Sequence, residues 1–503
     1  MMAFELDRSQ ILNVLRGFNP WWAGMPVSVP SFRRLAFDQC VRLVEDPKFK
    51  RAILLSGPRR VGKTTVLKQI AESLLRGGAE PVSVVYISLD HPLLKLASLT
   101  DLLRIYREDI FAEGKPAVLL LDEVQYAEDW ELHVKTLVDH HPDYRILATG
   151  SAAVATRRKQ AESGVGRWIT VPIPTLSFYE YLRIRDVAIP KPLDELKLQE
   201  LFTSAPAVFG GISQATRPLL PEFRRYLLVG GFPETAQQPS VEIAQQILRE
   251  DVVERVLRKD LVALYAVRSV REFEQLFIYL CLHTGGIFAV KTVATALGVA
   301  APTVENHLEV LEQAHLIYRL PPIAISGKKI LKAKDKIYIA DAALRNAVLL
   351  KGDQILDDPA EMGLVAETTV LRHVFAFYYQ DTPRVSYWLA PAASGGKRGR
   401  PKAGEERGDE RLLEVDIVVQ SPSYTIPFEV KYRDTAALHA ASGLVAFCRE
   451  EKVDRAYFVS KRNEDFGVST FPDHRTKYLR IPAHILTCLL GRAERIQWRG
   501  KTS

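Results

Sequence analysis

Three sets of residues in this chain have the types and spacing to do chemistry. The first is Gly57-Pro58-Arg59-Arg60-Val61-Gly62-Lys63-Thr64, followed by Thr65, a full G-x-x-x-x-G-K-[ST] match. Its glycines let the backbone wrap phosphate oxygens, and the open N–H groups at a helix start face negative charge. Lys63 is placed to reach β- and γ-phosphates, and the Thr64 hydroxyl to hold Mg²⁺. The second set is Asp122-Glu123, closing the apolar run PAVLLLDEVQ. Asp122 falls where an acid meets the Mg²⁺ shell, and Glu123 where one polarises an attacking water. The third set lies near the C-terminus: Asp416 in LEVDIVV, with Glu429 and Lys431 in IPFEVKY. Strand residues two apart share a face, so Glu429 and Lys431 point one way and Val430 points into the core. Asp416 joins them if its strand pairs with IPFEVK as a hairpin. Such oxygen ligands suit Mg²⁺, with Lys431 orienting water. The alternative is a buried network in which each acid is paired to Lys or Arg.

Strands and helices must carry these groups to one place. AILLS, before the first glycine, reads as a buried parallel strand, and Val66, Ile70 and Leu74 recur at helical spacing after it. PAVLLLDEVQ is another buried strand. YRILATGSAA is a third, ending in Thr149, Gly150 and Ser151, where a polar side chain could sense a γ-phosphate. Alternating strands and helices from Arg51 to Val171 imply an α/β fold with a parallel sheet and ligand at the strands' carboxyl ends.

Leu176 to Asp260 reads as helical, broken by Pro and Gly near 205–218 and 229–233. VKTVATALGVAAPTVENHLEVLEQAHLIYRL then reads as helix–turn–helix. Val293 and Leu297 lie on one helix, Gly298 makes the turn, and Val304, Leu308 and Leu311 line the next. Tyr318 to Ile325 and Lys336 to Ala340 are expected as wing strands. The second helix exposes Glu305, Glu309 and Glu312, and only Asn306 and His307 approach a base-reading position, so it suits protein contact better. The wing segment KKILKAKDK carries Lys328, Lys329, Lys332, Lys334 and Lys336, which either grip phosphates or form a solvated face. Further on, GLVAETTVLRHVFAFYY is a helix bearing Glu367, and RVSYWLA is a strand. The polar insertion after it contains Arg398-Gly399-Arg400-Pro401, an AT-hook core whose extended Arg-Gly-Arg fits a narrow minor groove.

GPRRVGKTT, LLLDEVQ, TGSAA, GRWITVPIPTLSFYEYL and VGGFPE together resemble prokaryotic AAA+-type P-loop ATPases with a C-terminal domain of unknown function. The resemblance runs from about Asn19 to Arg462. It implies a five-stranded AAA+ core using ATP and Mg²⁺, with Thr149 as sensor. It also implies self-association, as a hexamer, in which Arg167 is the arginine finger and Arg157 and Arg158 are competitors. Gly231-Phe-Pro233 resembles a lid motif, its alternative being a plain Gly-Gly turn. The order helix, strand, strand with Asp, strand with Glu-x-Lys resembles the restriction-endonuclease-like PD-(D/E)xK core. That resemblance makes Glu367, Asp416 and Glu429 metal ligands beside Lys431. Trp21 and Trp22, after an Asn-Pro turn, either stack on a base or pack, and packing is favoured.

The chain has 503 residues, too many for one core. The expected division is an N-terminal segment 1–45, an AAA+ core 46–180 and a helical lid or connector 181–265. A winged helix 266–345 and a nuclease-like domain 346–503 with a basic insertion 391–410 follow. Net charge +7 and a pI near 9.0 suit an anionic partner, here DNA. Cys40, Cys281, Cys448 and Cys488 form no CxxC pair, which argues against a disulfide framework or zinc and suits a reducing cytoplasm. No signal pattern and no apolar run near the ~20 residues of a membrane span are found. The expected function is a Mg²⁺-dependent ATPase that remodels or translocates DNA, with phosphodiester cleavage open. The alternative is a STAND-like nucleotide switch gating an effector or protein partner.

Overall fold

The computed structural model of the chain describes residues 7–112, 115–150, 166–260, 269–323, 334–378, 384–391 and 412–500. Short runs dense in Val, Ile, Leu and Ala become strands buried on both faces. β1 (Ala52–Ser56), β2 (Val84–Ser88), β3 (Ala117–Asp122), β4 (Tyr144–Gly150) and β5 (Trp168–Pro172) form one parallel sheet in the order β2-β3-β4-β1-β5. Its carboxyl edge is aligned: Ser56 lies opposite Gly150 and Pro172, and Ser88 opposite Asp122. β1 runs directly into the glycine loop and the helix Lys63–Arg76. That helix is fixed by Val66, Leu67, Ile70 and Ala71, all fully buried. Burial of each of the three larger side chains contributes roughly 1.5–3 kcal/mol. Helices Arg8–Phe18, Leu99–Asp109 and Trp130–His140 cover the other face. The expected five-stranded P-loop core is present. Trp21 and Trp22 pack, as the preceding turn suggests: both indole N–H groups donate to the Val84 carbonyl, at 2.9 and 3.0 Å, and Trp22 stacks on Tyr106.

The stretch after β5 is helical, including Phe178–Ile184, Pro206–Thr216, Leu220–Val229 and Val241–Ile247, then π-helical turns at Leu248–Glu254 and Val256–Asp260. Packing crosses the divisions drawn at 180 and 265. Phe178, Phe223 and Leu227 share an apolar cluster with Val430 and Leu479. Leu248, Val256 and Leu257 share another with Leu67, Ile70, Val304 and Leu308.

Helices Val290–Leu297 and Ala301–Gln313 flank Gly298 at φ 68°, giving the expected helix–turn–helix. β6 (Gly286–Ile287), β7 (Ile317–Leu320) and β8 (Lys336–Ile339) form an antiparallel sheet ordered β6-β8-β7 beside it. β7 stops at Leu320 rather than continuing, because Pro321 and Pro322 offer no ladder donors.

Helix Pro359–Tyr378 precedes a six-stranded mixed sheet. It comprises β9 (Arg384–Pro391), β10 (Leu412–Ser421), β11 (Tyr424–Lys431), β12 (Arg455–Ser460), β13 (Gly467–Ser469) and β14 (Lys477–Pro482). Its order is β13-β14-β12-β11-β10-β9. β10 and β11 are an antiparallel hairpin with Ile417 opposite Phe428, as anticipated. Among the described residues all four cysteines are free and buried, and no helix is long and apolar enough to cross a membrane.

Candidate functional site

The glycine loop has its shape because two positions exclude a side chain. A Cβ on Gly57 would sit 2.1 Å from the Ile173 carbonyl oxygen, and Gly62 holds φ 95° where the helix begins. The first N–H groups of that helix have no intrahelical partners. Lys63, 6% exposed, curls over the loop and donates to the carbonyls of Gly57 and Pro58 at 2.9 and 2.8 Å. Behind it Asp122 gathers hydroxyls. Thr64 and Tyr86 donate to its Oδ2 at 2.7 and 2.6 Å, and Thr149 donates to Oδ1. Burial, then the Asp122 charge, holds the Tyr86 phenol far above its ordinary pKa, so it stays a donor.

Thr149 is fully buried, and its oxygen also accepts the Glu123 backbone N–H at 2.9 Å. The sequence suggested a γ-phosphate contact for Thr149. Its hydroxyl bridges the Asp122 carboxylate and the Glu123 backbone N–H. Glu123 itself takes φ 56°, a backbone region costing about 1–3 kcal/mol outside glycine. Its carboxylate accepts from the Gln125 side-chain amide. The donor set fits Mg·ATP: an open helix start, a lysine over the loop, and a hydroxyl–carboxylate pair of hard oxygens.

Contacts from far along the chain reach this loop, and sequence reasoning missed them. Arg60 pairs with Asp251 at 2.9 Å and Glu234 at 3.6 Å. Pro233, in the candidate lid motif, approaches within 4.0 Å of where a Gly62 Cβ would stand. His315, at the turn before β7, bonds Ser56 Oγ through Nε2 at 3.0 Å. Burial, then the Lys63 charge, pushes the His315 pKa down to about 4, so the ring is neutral at pH 7. No local motif marks these residues; only their partners do. Arg167 lies at the opposite edge of the sheet, pairing with Asp139 at 3.2 Å while its carbonyl accepts the Ala52 N–H. The five residues of β5, about 16 Å of strand, separate it from the ligand edge of its own chain. Ser151, Arg157 and Arg158 lie outside the described residues.

At the C-terminal sheet the hairpin brings the three expected residues together. Asp416 and Glu429, each 5% exposed, sit one step beyond the Ile417–Phe428 pair, and the Val430 N–H donates to Asp416 Oδ2 at 2.8 Å. Lys431 lies 2.5 Å from Glu429 and 4.0 Å from Asp416. Glu367 arrives from helix Pro359–Tyr378 and accepts from the Tyr338 hydroxyl at 2.6 Å. The sequence did not foresee Lys336, whose ammonium pairs with Glu414 and stands 3.7 Å from Glu367 and 3.9 Å from Asp416. Each acid therefore has a lysine beside it. Among the described residues no three His, Cys, Asp or Glu side chains are arranged to hold a metal ion. The metal cage expected from Glu367, Asp416 and Glu429 is corrected to an ion-pair network: buried carboxylates repel, and the lysines supply the counter-charge. Even so, burial, then Asp416, pushes Glu367 up to about 7 and Glu429 up to about 8.

The residues expected to meet DNA fare differently. Lys334 is exposed, with its carbonyl accepting from the Tyr387 hydroxyl at 2.7 Å. Lys336, read with the wing cluster, is 3% exposed and faces the acids, so it is unavailable to phosphates. His307 is buried edge-on to Phe273, while Asn306 is exposed. Lys328, Lys329, Lys332, Arg398 and Arg400 lie outside the described residues.

Against known families, residues 49–182 match an AAA domain. Residues 220–354 and 362–483 match two domains of unknown function, DUF8612 and DUF4143. The chain is 30% identical over 348 residues to the uncharacterized protein MJ1637 of Methanocaldococcus jannaschii, covering 67% of this chain and 69% of that one. An uncharacterized protein of Mycobacterium tuberculosis, Rv2008c, is 25% identical over 391 residues, covering 77% and 71%. Among solved structures, AMPPCP-bound DnaA from Aquifex aeolicus shares 16% identity, covering 59% of this chain and 92% of that one with a TM-score of 0.24. C. elegans PCH-2 shares 15%, covering 57% and 70% with a TM-score of 0.25, and neither superposition carries weight for function. With its glycine loop, parallel sheet and paired acids, the chain belongs to the family of MJ1637 and carries a P-loop ATPase domain of the AAA+ type.

Proposed function

We propose that this chain hydrolyses ATP with Mg²⁺ and works as a nucleotide-driven switch, its C-terminal modules responding to what the glycine loop holds. The observation that carries the reading is the clasp on that loop: Arg60 to Asp251 and Glu234, and Ser56 to His315. A phosphate entering the cradle competes for the same loop and changes the field at His315. Loop N–H groups and Lys63 bind the phosphates, and Thr64 with Asp122 holds the metal, which supplies Lewis-acid stabilisation of the transferring phosphoryl group. Glu123 takes the proton of the attacking water. Thr149 is a positioning residue for both acids. The direct test is hydrogen exchange at 248–260 and 311–320 in the apo, ADP and ATP-analogue states. Equal protection in all three states overturns the switch.

A second reading, ATP-driven action on DNA, draws on the C-terminal modules. The helix–turn–helix with its small sheet has the make-up of a winged helix at 266–345, behind a core at 46–180 and a helical connector at 181–265. The hairpin bearing Asp416, Glu429 and Lys431 has that of a nuclease-like domain at 346–503. Turnover measured with and without single-stranded, duplex and branched DNA separates the readings. Stimulation favours action on DNA, and indifference favours the switch.

A further inference from the structure

Helices Leu99–Asp109 and Trp130–His140 pack on the same face of the parallel sheet, and a cavity of about 280 Å³ lies between them. That is roomier than the about 150 Å³ in which a leucine-lined core cavity holds benzene. Leu99, Leu103 and Leu137 give it an apolar wall, and Arg107, one turn after Leu103, stands at one end. Arg107 is 8% exposed. Its Nη1 donates to the carbonyls of Ala112 and Lys115 at 3.1 and 3.3 Å, and its Cζ lies 4.2 Å from the centre of the Tyr144 ring. These contacts fix the plane of the guanidinium. Its Nε and Nη2 are buried without a hydrogen-bond partner. Those two donors share one edge of the group, the edge that meets both oxygens of a carboxylate. The neighbouring charges are already matched: Arg104 pairs with Asp101 at 2.7 Å, and Glu108 with Arg8 at 2.7 Å. Among the described residues Arg107 has hydrogen bonds only to carbonyls and no acid partner. A buried cation left without a counter-ion is unfavourable.

We propose that this cavity binds a small monocarboxylate with an apolar body. The carboxylate takes Nε and Nη2 of Arg107, and the body lies along Leu99, Leu103 and Leu137. Such a ligand supplies both the counter-charge and the acceptors that the fold leaves out. The ion pairs of Arg104 and Glu108 at the rim are exposed and weak enough to give way as it enters. The site is distinct from the phosphate cradle. Arg107 is tied to the Lys115 carbonyl just before β3, whereas Asp122 stands at the far end of that strand.

The experiment titrates phenylacetate and octanoate into the full chain by calorimetry, with uncharged phenylacetamide as the control. At least one carboxylate should fill a single site per chain, at least 10-fold more tightly than the amide. Arg107→Met should weaken that binding at least 10-fold. Arg107→Lys should weaken it too, because an ammonium offers no paired edge. Thr136→Trp places a bulky ring at the exposed rim and should block the cavity with Arg107 intact. It keeps the test decisive should the buried Arg107 variants fail to fold. The proposal is overturned if neither carboxylate binds saturably, or if the amide binds as tightly as the carboxylates. Carboxylate binding unchanged in Arg107→Met or in Thr136→Trp overturns it as well.

Discussion

His315 and Ser56 lie 259 residues apart in the chain and share a hydrogen bond of 3.0 Å at the start of the glycine loop. The strand that presents the phosphate cradle is thus held by a residue of the helix–turn–helix module. The charge on Lys63 reaches that ring, since it contributes to depressing the His315 pKa. On the proposed function, phosphate engaging Lys63 would change the field at His315.

Lys63→Ala is expected to abolish nucleotide binding, because it removes the only loop side chain whose ammonium sits over the cradle among the described residues. Glu123→Gln should keep nucleotide while turnover falls by about 10²–10⁴-fold, the usual scale for a general base. Fluorescent-nucleotide titration and phosphate release measure the two quantities separately. Equal turnover in Glu123→Gln and wild type would remove Glu123 from the chemistry.

The His315 contact predicts a pH dependence. Its ordinary pKa is 6.5 and its folded value about 4, so the unfolded chain takes up the proton first. Stability from the neutral ring is fully present above pH 6.5 and is lost as pH falls toward 4. The loss at pH 5 is on the order of 1–2 kcal/mol. In urea unfolding, wild type should exceed His315→Gln at pH 8, and the gap should close by pH 5. A gap constant with pH would mean that folding does not shift the His315 pKa.

Thr149→Val tests positioning. Valine keeps the volume but leaves the Glu123 N–H and one Asp122 oxygen without their partner, a cost of about 1–3 kcal/mol. Turnover should fall more than nucleotide affinity, since the acids move while the loop and Lys63 stay. Affinity falling as far as turnover would instead indicate direct contact with the nucleotide.

What the sequence reveals follows from range. The glycine loop, the Asp122-Glu123 strand end and the hairpin of Asp416, Glu429 and Lys431 are legible because their geometry is set within one turn or one strand pair. The Trp21–Trp22 packing follows from a local Asn-Pro turn. His315, Asp251 and Lys336 are illegible because each meets its partner through packing of separate modules, which leaves no spacing to read. Lys336 even misleads, since a lysine in a run of lysines looks solvated, and only burial among carboxylates reveals its role. Thr149 shows the same limit at short range. The strand places it at the ligand edge, but its partners there, Asp122 and the Glu123 N–H, come from the end of the neighbouring strand.

Arg167 carries the last prediction, that catalysis needs a neighbouring copy of the chain. It sits at the amino edge of β5, about 16 Å of strand from its own ligand edge, and pairs with the half-exposed Asp139. An exposed pair of this kind is worth at most about 1 kcal/mol, so a stronger anion can recruit the guanidinium. If rings form, as in the AAA+ resemblance, that anion is a neighbour's γ-phosphate. Arg167→Ala should then bind nucleotide normally and lose assembly-dependent turnover by about 10³-fold or more. Mixing Arg167→Ala with Lys63→Ala chains checks the geometry, because each supplies what the other lacks. Partial recovery of turnover, peaking near equal amounts, is expected. No recovery at any ratio, with sedimentation showing a monomer in the presence of an ATP analogue, would leave Arg167 a structural residue of its own chain.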